Sequence, residues 1–103
     1  MKTEEHTGLS VNYYQVDIEF PTTPDRAPYT AECNDIIEAL GMKPSEANIF
    51  KEIWRNSATR TLGKKKQGHD ELYAYEKVFF FAQRQYELLK FRLKPRNKPT
   101  KGD

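Results

Sequence analysis

Leu72, Tyr75, Phe79, Ala82, Tyr86, Leu89 and Leu93 succeed one another at alternating steps of three and four residues. An α-helix, with 3.6 residues per turn, puts residues so spaced on one line. Asp70 stands where an N-cap is needed, and Pro95 stands where a helix must stop. The spacing predicts a helix of about 24 residues, about 36 Å long. Val78, Phe80, Phe81 and Leu88 add apolar surface beside the stripe. Such a helix is longer than two shorter ones can cover. Either a second chain covers part of this face, or the N-terminal strand and loop fold over it.

The rest of the chain must therefore be small. It has 103 residues, enough for one domain, with 37% hydrophobic and 31% charged residues. Aromatic side chains make up 13% and can build a small core without disulfides. Cys33 is the single cysteine, so no intrachain disulfide forms. The only histidines, His6 and His69, fall in an expected tail and loop, so neither a structural metal nor a cofactor is expected. No apolar run approaches the roughly 18 residues of a membrane span. The start, MKTEEHTG, is polar and acidic and does not read as a secretory signal. These features predict an intracellular protein that does not enter a membrane. The net charge of +2 does not by itself mark a nucleic-acid binder.

Tyr14, Val16, Ile18 and Phe20 alternate with Gln15, Asp17 and Glu19, which predicts a half-buried strand over about 11–20. PTTPDRAP follows and must be a loop. Thr30 is a suitable N-cap for a first helix, with Cys33, Ile36, Ile37 and Leu40 on its buried stripe and Gly41 as its stop. Pro44 and Ser45 open a second helix to about residue 59. Its apolar side carries Ile49, Phe50, Ile53 and Trp54; its polar side carries Asn48, Lys51, Glu52 and Arg55. No second strong strand is evident. The strand is left to pair with its copy in another subunit, with a segment near Thr59–Leu62, or with another protein. Ile36, Ile37, Leu40, Phe50, Ile53, Trp54, Leu72, Tyr75 and Phe79 are expected to be buried together.

Two stretches carry a resemblance. Asn48-x-x-Lys51-x-Ile53-Trp54-Arg55 follows DIIEALG at 35–41, and Asp70-Glu71 leads into LYAYEKVFFF. Together they resemble the small phage-associated domain of unknown function 3310, over roughly residues 29–90. Glu52 departs from it, standing where that family tends to have an aromatic residue. The loop over 56–69 is long, and the N-terminal strand lies outside the match. The resemblance implies a phage or prophage origin, a helical domain and the cytoplasm of a bacterial host. It implies little chemistry. A phage nucleotide kinase is similar to the family, but this chain has no GxxxxGK[ST] phosphate loop, so that activity does not carry over.

Three groups of residues are candidates for a site. Asn48, Lys51 and Arg55 share one helix face, where an amide, an ammonium and a guanidinium could hold a phosphate or carboxylate. The plainer readings are a solvated face, or a scaffold in which Arg55 is paired to an acidic residue such as Glu52 or Asp70. Lys64, Lys65 and Lys66 in GKKKQG, and the tail KFRLKPRNKPTKGD, could bind phosphates without reading bases, or simply keep the chain in solution. Glu32, Asp35 and Glu38, with Glu71 or Glu76, could hold Mg²⁺, although they drift around the helix. Cys33 sits on the buried stripe and reads as a small core residue.

The sequence thus predicts a mainly α domain of three helices with a long C-terminal helix, preceded by one strand. Residues 1–9 form a disordered tail, 10–94 the domain, and 95–103 a basic flexible tail. The function expected is a non-catalytic phage accessory protein that binds and modulates a host or phage macromolecule, such as a protein, and works as a homodimer. Tyr14, Val16, Ile18, Phe81 and Leu88 are the expected interface residues. The alternatives are a nucleic-acid or nucleotide binder using the basic loop and helix face, and a metal-dependent nucleotide enzyme.

Overall fold

The computed structural model describes residues 12–63 and 70–94. The expected tails and the lysine cluster Lys64–Lys66 lie outside these residues. A 3-10 turn, Asn12–Tyr14, leads into β1 (Gln15–Ile18), β2 (Tyr29–Glu32), α1 (Cys33–Leu40), α2 (Pro44–Leu62) and α3 (Glu71–Leu93). The fold is mainly helical, with a long C-terminal helix and an N-terminal two-stranded hairpin before the helices.

The hairpin corrects the expectation that the chain has no second strand near the first: β1 pairs with β2 and not with a segment near Thr59–Leu62. β1 and β2 are antiparallel, with Val16 opposite Ala31 and Asp17 opposite Thr30. Thr30 is therefore a strand residue and not a helix cap. Its hydroxyl donates to the Asp17 carboxylate at 2.9 Å, a cross-strand bond that helps fix the register. Glu32 stands at the N-cap of α1 without a side-chain bond. The proline-rich stretch spans the hairpin, where Arg26 stacks 3.7 Å from the Tyr29 ring centroid.

The helix ends follow local chemistry. Gly41 takes a left-handed φ of 62° and donates to the Glu38 carbonyl, while Met42 donates to that of Ile37. Pro44 opens α2, and the Glu46 carboxylate accepts from the Lys43 N–H at 2.9 Å. α2 then runs three residues past the expected end, to Gly63, whose φ is 71°. Asp70 caps α3 by accepting from the Tyr73 N–H at 3.2 Å.

Side-chain placement departs most from expectation. α2 and α3 form the main packing contact. The residues buried in the described part of the chain are Cys33, Ala58, Ala74, Glu52 and Asn56. The apolar members are all small. Leu40, Ile53, Leu72, Tyr75 and Phe79, expected in the core, are exposed, with Leu72 at 70% and Phe79 at 73%. The reason lies in the contact with α2. α3 turns Ala74, Lys77, Val78, Phe81, Gln85 and Leu88 to its less exposed side, so its strict stripe points elsewhere. The 3-10 turn and hairpin do not cover that stripe, because the turn seats on α2 and β2 on α1.

Asn56 gives a direct check. It is 3% exposed, and neither amide atom has a hydrogen-bond partner. A buried amide without partners costs about 1–3 kcal/mol. Asn56→Leu, with the same number and branching of side-chain heavy atoms but more bulk, should raise stability by up to about that amount. A urea titration reads it, and a lowered midpoint would mean that the amide has a stabilising partner in solution.

Candidate functional site

α2 carries two different surfaces, and its polar one lies mostly inside. Arg55 follows Glu52 by three residues, so the two side chains meet on one helix face. The Arg55 guanidinium donates to the Glu52 carboxylate and also to the Tyr14 hydroxyl. Lys77 of α3 brings its Nζ to 3.0 Å from the same Glu52 carboxylate. Glu52 is thus a buried anion held between two cations, and its cluster ties the 3-10 turn, α2 and α3 together. Trp54 adds a second tie, its indole N–H donating to the Tyr13 carbonyl at 2.6 Å.

This arrangement decides how Asn48, Lys51 and Arg55 can act. They remain neighbours along α2 and are half-buried. Arg55 already spends donors on Glu52 and Tyr14, as the scaffold reading of this stripe requires. Burial pushes the Cys33 thiol above its usual pKa, and the charges of Lys51 and Arg55 offset only part of that. The thiol is therefore protonated at neutral pH and a poor nucleophile. Among the described residues, no three His, Cys, Asp or Glu side chains gather where they could hold a metal ion. Glu32, Asp35 and Glu38 do not converge, and Glu38 instead accepts from the Asn34 amide at 2.9 Å.

The second surface is an apolar groove of about 350 Å³, lined chiefly by Val16, Phe50, Ile53, Trp54, Ala58 and Leu62. Phe50 and Trp54 meet edge-on, with centroids 5.8 Å apart. Val16, expected at an interface, lines it. Tyr14 is used internally by Arg55, and Ile18 is half-buried.

Most of the exposed large apolar side chains among the described residues are on α3. All seven residues of its alternating stripe are exposed, Leu93 at 72%. A second exposed set, Tyr73, Phe80 and Phe91, recurs at steps of seven and eleven residues on another side. Phe81 and Leu88, expected at the interface, are half-buried neighbours of these sets, and Phe81 stands edge-on to Phe80. Sequence reasoning assigned Leu72, Tyr75 and Phe79 to the domain's own core. The signal for their exposure was there, since a strict heptad seam is the mark of helix pairing.

Among the described residues, no helix is long and apolar enough to cross a membrane. Comparison of the chain with protein families, with curated proteins and with solved structures gives no match.

Proposed function

We propose that this chain is a small non-catalytic accessory protein of phage type, which works as a homodimer and binds a host or phage protein to modulate it. One observation supports the reading above the others: besides the side it turns to α2, α3 exposes large apolar side chains on two others. Exposed apolar surface of this extent is unfavourable in water. The seam from Leu72 to Leu93 suits a second copy, and the exposed Tyr73 and Phe80 suit a target.

The two parts are separable. Light scattering at high micromolar concentration should give twice the 12.1 kDa chain mass. Phe79→Glu places two charges in the seam and should weaken the dimer at least about a hundredfold. A wild-type chain that stays at 12.1 kDa would remove the dimer. Affinity capture from nuclease-treated bacterial lysate should retain a protein that Phe80→Glu releases without dissociating the dimer. Capture lost on nuclease treatment would instead favour the nucleic-acid reading.

A further inference from the structure

The homodimer reading leaves open how two copies of α3 would lie. We infer that they pair antiparallel, with Phe79 of each chain packed on Ala82 of the other. This rests on that reading and on two features of the exposed seam, its volumes and its charges.

The volumes come first. Phe79 and Ala82 are successive seam residues, one large and one small, and both are exposed. In a parallel, in-register pair each seam residue meets its own copy. The layers would then swing from Phe79 against Phe79 to Ala82 against Ala82, and the second leaves a void. Such a void is destabilising in a packed interface. An antiparallel pair joins the two kinds of seam position. With Phe79 facing the second copy's Ala82, Leu72 faces Leu89 and Tyr75 faces Tyr86. Every layer then has similar total volume except the two central ones, in each of which a large and a small side chain interlock.

The charges select the same orientation. Glu71 and Glu76 lie in the first half of α3; Lys90, Arg92 and Lys94 lie at its end. Antiparallel pairing in the register above brings Glu71 beside the second copy's Arg92, twice by symmetry. Parallel pairing brings Glu71 beside Glu76, also twice. Glu71 is available for such a contact. Its ion pair with Arg60 is a loose 3.7 Å surface contact, with both side chains more than half exposed. The opposed helix dipoles add to the preference.

Cysteine cross-linking decides the matter in the full chain. Cys33 is 1% exposed, so the unmodified protein serves as the blank. Leu72→Cys and Leu89→Cys are placed at exposed positions, and folding is checked by circular dichroism. In the antiparallel register, equal residues of the two chains lie about 25 Å apart, too far for a disulfide. Diamide should therefore leave each single variant uncross-linked. A mixture of the two, re-equilibrated through monomer, should cross-link roughly half of the chains, the mixed-dimer share. Cross-linking of Leu72→Cys alone would overturn the inference in favour of a parallel pair and leave the homodimer standing. A dimer by light scattering that cross-links in no combination would also overturn it, by placing the interface elsewhere. A chain that is monomeric throughout would remove the homodimer and the inference together. As a second readout, Arg92→Glu should weaken the dimer roughly tenfold at low salt, and adding Glu71→Lys should restore most of it.

Discussion

Glu52→Ala should destabilise the fold by about 3–5 kcal/mol, a large share of what holds a small domain folded. The carboxylate is buried, and removing it leaves Arg55 and Lys77 facing each other without an anion. The Arg55 side chain is 13% exposed and cannot simply turn to water. Lys77, at 37%, has more freedom. Glu52→Gln keeps the shape and some hydrogen bonding, so it should lose less. Were these ordinary surface pairs, each would contribute only about 0–1 kcal/mol and Glu52→Ala would melt close to wild type. Urea denaturation followed by circular dichroism separates the two outcomes. A further arm replaces the whole cluster by apolar residues. Glu52→Leu with Arg55→Met and Lys77→Met should recover much of the loss, because no buried charge is then left uncompensated.

Trp54→Ala should cost about 3 kcal/mol. The ring packs on Phe50 and beside Val16, and its N–H holds the Tyr13 carbonyl. Loss of both loosens the 3-10 turn on α2. Trp54→Phe retains most of the packing and should cost about 1 kcal/mol, the share of one hydrogen bond. Tyr14 also anchors this turn through Arg55, so Trp54→Ala and Glu52→Ala should not add. A thermal melt of the two single variants and the double variant measures that coupling. Trp54→Ala melting within a degree or two of wild type would show that the turn contributes nothing to the fold.

Backbone features were the most legible. Gly41, Pro44, Asp70 and the alternating stripe mark helix ends and extent through local chemistry, and the structure follows them closely. β2 was not legible. YTAE is short, follows three prolines and begins with a residue that also reads as a helix cap. Only the long-range pairing with β1 makes it a strand. Helix faces were the least legible. Periodicity identifies which residues share a side but not which side meets the next helix. Hydropathy assigned Glu52 to water, whereas two cations from different segments make its burial tolerable. The same rule assigned Phe79 to the core, although small Ala74 is what lets α2 and α3 approach. For the candidate site, the sequence picked out the Asn48, Lys51 and Arg55 line. It could not show that Arg55 is held from within by Glu52 and Tyr14, because Tyr14 is 41 residues away.

The small interior has a calorimetric consequence. Unfolding raises the heat capacity in proportion to the apolar surface newly wetted, less a contribution from polar surface. Globular proteins average about 12–15 cal/mol/K per residue. Here the buried apolar side chains of the described residues are one cysteine and two alanines, and a charge cluster fills the helix contact beside them. A single chain therefore gains little wetted hydrocarbon when it opens. Its increment should fall below that average, its stability should vary only gently with temperature, and cooling should weaken it less than it weakens an oil-filled domain of equal length.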